Sequence, residues 1–302
     1  MTFSIVAYDP VAKEWGVATQ SKFLAVGAVV PWAAANAGSI ATQSYANTSF
    51  GPRGLAMLAQ GLSAAETLER LLAADEGHEQ RQVGIIDREG RATTFTGSDC
   101  HAWAGGLTGS NFAAQGNILV SAATVEALAV GFENARGELA DRLVAALLAG
   151  QRAGGDRRGQ QSAAVLIVRD KGGYAGFNDR YLDLRVDDDL HPIERLQGLL
   201  ELHHLYFGKP APESLVQIDQ KIARELQRIA KRAQQYHGAI TGEYDAATRE
   251  AVEGLIGIEN LEDRWPFGSD QVDPVALRFL KKAYPAKKPR RTTAVKKTAR
   301  KK

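Results

Sequence analysis

Thr2 is the residue of this 302-residue chain whose reactivity depends most on position. Removal of Met1 ahead of so small a residue would leave Thr2 with a hydroxyl and a free α-amine on one residue. A threonine hydroxyl is a weak nucleophile until a base sits beside it, and an N-terminal threonine carries its own. An α-amine titrates at about 7.7–8.0, so much of it can accept a proton near neutral pH. The plain alternative is an edge-strand threonine. Lys22, after Gln20-Ser21, would depress the pKa of a nearby amine by like-charge repulsion, or would be a solvated loop lysine. Asn117, in Gln115-Gly116-Asn117, could aim its side-chain NH₂ at a developing oxyanion, with the Gly116 N–H as a second donor. Such donors contribute about 2.7–4 kcal/mol each. The other reading is a β-bulge with an exposed amide. Asp156 lies in a glycine-flanked loop ahead of Ser162, and the adjacent Arg157 and Arg158 could neutralise it or grip a substrate carboxylate in a bidentate way. Gln20, Ser21, Gln43, Ser44 and Asn47 supply polar side chains that could line a cleft or face water at strand ends. Cys100 is the only cysteine and the histidines are scattered, the adjacent His203 and His204 diverging by about 100° on a helix. Neither a metal nor a cofactor is expected.

These residues need elements to hold them. Runs 3–8 and 14–20 read as two strands joined by a turn at Asp9-Pro10. Further strands are expected at 25–30 and 38–44, in stretches rich in small residues that allow close approach. A helix starts around Asn47–Pro52, and a second runs from Ser63, an N-cap with Glu66 three residues on, to Ala74. Strands at 82–87 and 92–96, a glycine-rich loop at 97–110 and a strand at 112–120 follow. Helices at 121–133 and 138–149, a polar loop at 150–161, strands at 162–169 and 181–186 and a helix over 192–206 complete the first part. Successive hairpins argue for antiparallel sheets, and helices arriving in pairs suggest a four-layer αββα sandwich with helices outside.

Pro210-Ala211-Pro212 reads as a linker after a first domain of residues 1–207. A helix is expected over 213–235, then a turn and another helix, in a small helical domain of residues 213–284. The last eighteen residues hold nine Lys or Arg and no acid, so the net +2 of the chain hides a body of −7. A tail of this composition (285–302) is expected to be disordered and to make non-specific contacts with anions. No apolar run approaches membrane-spanning length, and the N-terminus lacks a secretory pattern, so a cytoplasmic location is expected.

The runs Thr2–Ala7, Gly16–Phe23, Gly51–Leu55, Gln115–Leu119 and Gly154–Ala164 together resemble a bacterial family known as the domain of unknown function 1028 (DUF1028), within the N-terminal-nucleophile (Ntn) hydrolase superfamily. The resemblance covers about residues 2–207. It implies an αββα sandwich and amide-bond hydrolysis by an N-terminal Thr, Ser or Cys, and it carries no substrate. Proteasome-like members of the superfamily use a lysine later in the chain than Lys22. They also use an Asp and a Ser that orient the N-terminal amine, and the Asp156-to-Ser162 spacing here is longer than theirs. The second domain resembles a peptidoglycan-binding domain through Leu226, Ile229, Tyr236–Gly238, Thr241–Asp245, Thr248 and Ala251.

Two functions follow as expectations. One is an Ntn amidohydrolase cleaving a carbon–nitrogen bond in a small amide or peptide, with Thr2 as nucleophile. The other is a non-catalytic binding protein on the same fold, whose C-terminal module takes glycan or peptidoglycan fragments. A homo-oligomer is compatible with either.

Overall fold

The structure, a computed structural model, describes residues 2–286. Met1 and the basic run 287–302, and with them the expectations of methionine removal and of a disordered tail, lie outside those residues. The chain is a mixed helix-and-sheet protein that divides into two compact units, Met1–Glu201 and Leu202–Lys302.

The first unit is built on β1 (Thr2–Asp9). This strand pairs antiparallel with β2 (Glu14–Ser21) on one side and β8 (Phe112–Asn117) on the other. With β7 (Gly105–Gly109), β9 (Ser162–Val168) and β10 (Arg180–Val186) they form a six-stranded sheet in the order β10-β9-β2-β1-β8-β7. A second antiparallel sheet runs β3 (Pro31–Ala34), β4 (Gly38–Gln43), β5 (Gln82–Asp87), β6 (Ala92–Thr96).

Strand periodicity sorts β1 between two cores. Phe3, Ile5 and Ala7 join α3 (Ala123–Asn134) and α4 (Leu139–Arg152) through Leu128, Phe132, Leu143 and Leu147. Val6, on the other face, meets Ala41 and Ile86 of the four-stranded sheet together with Trp15 and Val17. The outer face of that sheet packs Ile40, Val83 and Ile85 on α1 (Phe50–Ala59) and α2 (Ala64–Ala73) through Phe50, Leu58 and Leu71. The predicted capping box on α2 is present: Ser63 and Glu66 each accept from the other's backbone N–H.

Several expected boundaries move. Residues 25–30 are not a strand: Val26–Ala28 form a 3₁₀ turn entered through Ala25 at φ 52°, and Gly27 lets that turn lie close to β9, where a Cβ would come within 2.7 Å of that of Ala164. The strand expected over 112–120 stops at Asn117, where Ile118 takes φ 52°. Part of the glycine-rich loop is β7, whose single apolar residue, Leu107, makes no repeat that would show its pairing with β8.

The helix α5 (Pro192–Phe207) follows β10. The second unit contains α6 (Gln220–Arg232), α7 (Ala246–Ile258) and α8 (Pro274–Ala283), with a two-residue pairing of β11 (Val216–Gln217) and β12 (Gln271–Val272). The helix expected over 213–235 begins only at Gln220, because the Asp219 carboxylate caps it. Leu226, Ile229, Val252, Leu255, Trp265 and Leu280 form the core of this unit. Among the described residues no helix is long and apolar enough to cross a membrane.

Candidate functional site

One row of polar side chains crosses four strands at one end of the six-stranded sheet. Thr2 pairs with Asn117 of β8, and Ser21 of β2 pairs with Ser162 of β9. Phe3 faces Gln20, so Thr2 falls beside Ser21. Residues opposed on antiparallel strands share a face, which puts Asn117, Thr2, Ser21 and Ser162 on the side that meets the other sheet. All four are buried, Thr2 at 6% exposure. The Thr2 hydroxyl donates to the Ser21 hydroxyl at 3.1 Å.

Behind the row lies a buried network of side-chain amides and hydroxyls. The Ser4 hydroxyl donates to Gln43 Oε1 at 2.7 Å, and Gln115 Nε2 donates to Ser4 Oγ at 2.7 Å. Gln43 Nε2 donates to Gln82 Oε1 at 2.8 Å and to the Thr2 carbonyl at 3.3 Å. Asn117 Nδ2 donates to the same Gln82 oxygen at 2.9 Å. Gln82 Nε2 reaches the Gly116 and Gly105 carbonyls and the Thr96 hydroxyl at 2.8, 3.2 and 2.9 Å. A polar group this deep is costly unless partnered, and here each amide is. Gly84 makes room: a Cβ there would lie 2.2 Å from Gln115 Oε1.

The remaining predicted residues lie in the strands and loops around the row. Asp156 is buried, and its carboxylate accepts from the Lys22 N–H at 2.9 Å, the Arg158 N–H at 2.8 Å and the Arg158 guanidinium at 3.4 Å. Ser162 donates to the Phe23 carbonyl and accepts from the Val26 N–H, so it fastens the chain leaving β2. The exposed Lys22 ammonium rests on the Gln160 carbonyl at 3.2 Å. Arg157 donates to the Ala102 and Leu119 carbonyls. Gln20 is buried, with Nε2 at 3.5 Å from the Gly159 carbonyl and its oxygen without a hydrogen-bond partner. Gly116 sits inside β8 between Phe3 and Gly105. Ser44 and Tyr45 turn the chain out of β4 with φ 58° and 46°. Asn47 holds the start of α1 through Ser49 and donates to Asp75 at 2.9 Å. Arg81 pairs with Asp75 and, with Asn47, holds that carboxyl down at about 2.

The structure thus gathers Thr2, Ser21, Gln43, Asn117 and Ser162 at one end of the sheets and places Asn47 and Arg157 in loop bracing. Sequence reasoning missed Gln82 and Ser4. Gln82 opens an apolar strand, QVGIID, and a lone polar residue at a strand start reads as solvent-facing. Among the described residues no group of three His, Cys, Asp or Glu is placed to hold a metal.

A family model described as "Putative peptidoglycan binding domain" matches residues 206–280. A crystal structure of a Silicibacter pomeroyi protein of the DUF1028 family superposes with TM-score 0.62 at 30% identity, covering 67% of this chain and 89% of that one. No curated protein matches the chain. The model of the family of unknown function DUF1028 matches residues 2–196, and the chain belongs to that family.

Proposed function

We propose that the first unit is an N-terminal-nucleophile amidohydrolase on a four-layer αββα sandwich, acting in the cytoplasm on a small amide or peptide. The observation that carries this reading is the Thr2 hydroxyl, 3.1 Å from Ser21 Oγ and opposite Asn117 across the β1–β8 pair. After loss of Met1 the Thr2 α-amine takes the hydroxyl proton, and Oγ attacks the scissile carbonyl. Asn117 Nδ2 has two hydrogens, and the bond to Gln82 leaves the second to meet the developing oxyanion. The amine returns its proton to the leaving nitrogen, and water releases the acyl group from Thr2 by the reverse sequence. Asp156 acts at one remove, fixing the backbone of Lys22 directly after Ser21.

Intact-mass measurement of the purified protein tests the premise, and an amide-library screen tests the reaction. Loss of Met1 with turnover of at least one amide is expected. Turnover by a preparation that retains Met1 would sink the mechanism, since Thr2 would then have no free amine.

A second reading concerns the second unit, where an open surface groove of about 780 Å³ is bordered by Gln235, Tyr236, His237, Asp245 and Glu250. Together with the matching family model, this groove of mixed polar and apolar lining supports binding of a peptidoglycan or other glycan fragment. Titration with soluble cell-wall fragments tests it, and unchanged heats and spectra would refute it.

A further inference from the structure

We propose that Gln82 is a positioning residue that orients both Asn117 and Thr2; the inference rests on the hydrolase reading above. Its single Oε1 accepts from two side-chain amides, Asn117 Nδ2 at 2.9 Å and Gln43 Nε2 at 2.8 Å. An oxygen facing both turns the NH₂ end of each amide, rather than its carbonyl end, toward Gln82. For Gln43 this keeps Nε2 within reach of the Thr2 carbonyl. For Asn117 it settles which end of the amide lies toward the network.

Gln82 itself cannot flip. Its Nε2 faces the Gly116 and Gly105 carbonyls, and a reversed amide would set oxygen against both while aiming NH₂ at two NH₂ groups. Two backbone carbonyls of the six-stranded sheet therefore fix a side chain of the four-stranded sheet, which in turn fixes Asn117. Asn117 needs such support, because it is the last residue of β8 and the chain turns away at Ile118, φ 52°. Methionine has the length of glutamine and no amide. At position 82 it would leave the Asn117 amide free to rotate while occupying the same space.

The test uses the full chain with asparagine-selective ¹⁵N labelling, the Asn117 side-chain resonances being assigned by their loss in Asn117→Ala. In Gln82→Met those resonances should move and exchange faster with solvent while the other asparagines keep their positions. With an amide substrate from the screen, kcat should fall by about ten- to a hundredfold, below the 10²–10³ of deleting the donor outright, with KM nearly unchanged. Gln82→Asn keeps the amide but withdraws it by one methylene, and it gives the same readings should Gln82→Met not fold. Unmoved Asn117 resonances in a folded variant overturn the proposal whether or not the parent hydrolyses amides. Moved resonances with parental kcat overturn it as well. A parent without hydrolysis whose variant shows moved resonances overturns the hydrolase reading alone.

Discussion

Two glutamines, Gln82 in the first unit and Gln227 in the second, are fully buried hubs of hydrogen bonds, and they are used differently. Gln227, on α6, donates to the Thr241 and Thr248 hydroxyls and the Glu243 carbonyl at 3.0–3.1 Å and accepts from the Gly242 N–H at 3.0 Å. All its partners lie in the turn between α6 and the start of α7. Gly242 is at φ 87°, so the hub stitches down a tight connection and ends on it. Gln82 joins strands of two sheets, and its oxygen accepts from other side-chain amides rather than from backbone. That chain of amides continues to Thr2 and Asn117, whose functional groups can do chemistry. Burial and satisfaction alone therefore do not separate a structural hub from one that serves a site. Where the bonds lead does.

If the comparison is right, the first unit should lose turnover through its polar row while keeping its fold. The largest effect belongs to Thr2→Ala. Removing a nucleophile costs on the order of 10⁴–10⁶ in kcat. Thr2 is buried and bonded to Ser21, so losing its hydroxyl should also lower stability by about 1–3 kcal/mol, which leaves the domain folded and is small beside the loss of turnover. Persistent turnover in the folded variant would place the nucleophile elsewhere. Asn117→Ala comes next, with a kcat loss of roughly 10²–10³ and a smaller change in KM, because an oxyanion donor acts mainly in the transition state. A pure KM effect would reassign Asn117 to substrate binding.

The elements of the first unit were largely legible because apolar residues repeat at two or at three and four, as in Phe3, Ile5 and Ala7 or Leu139, Leu143 and Leu147. β7 escaped because its sequence, GGLTG, has no such repeat and gains its place only from pairing with β8. The place of the third helix of the second unit, α8, escaped because its start is set by Asp273, which caps its first turn and binds Arg264. Thr2, Ser21 and Asn117 could be named from residue type and spacing. That they form one row depends on register, which couples residues more than a hundred positions apart. Gln82 was hidden for the same reason: its neighbours are set by how two sheets stack, not by anything near it in sequence.

A milder perturbation sharpens the contrast from inside the network. Gly84→Ala puts a methyl 2.2 Å from Gln115 Oε1, and Gln115 cannot swing aside without breaking its bonds to Ser4 and Thr94. Overpacking of this kind costs about 1–3 kcal/mol, and the thermal midpoint of the first unit should fall accordingly. Turnover should drop by less than about tenfold, since a displaced Gln115 leaves the Gln82–Asn117 bond in place and far more rate is lost only when a donor goes. Unchanged stability would mean that the network is looser than its distances imply.

The smallest expected effect on turnover comes from the other hub. Gln227→Leu keeps the apolar part of the side chain and removes the amide. The Gly242 N–H then loses its acceptor, and the Glu243 carbonyl and two threonine hydroxyls lose a donor. A buried group left unpaired costs about 1–3 kcal/mol, so calorimetry should show the second unit unfolding at a lower temperature. The hydroxyls can turn to other partners, which keeps the cost near one such group rather than four. Turnover of the amide substrate should stay at the parental value, because no bond of Gln227 leads to the polar row. A fall in kcat comparable to that of Gln82→Met would break the comparison. It would mean that the second unit supports the chemistry of the first through contacts other than these hydrogen bonds.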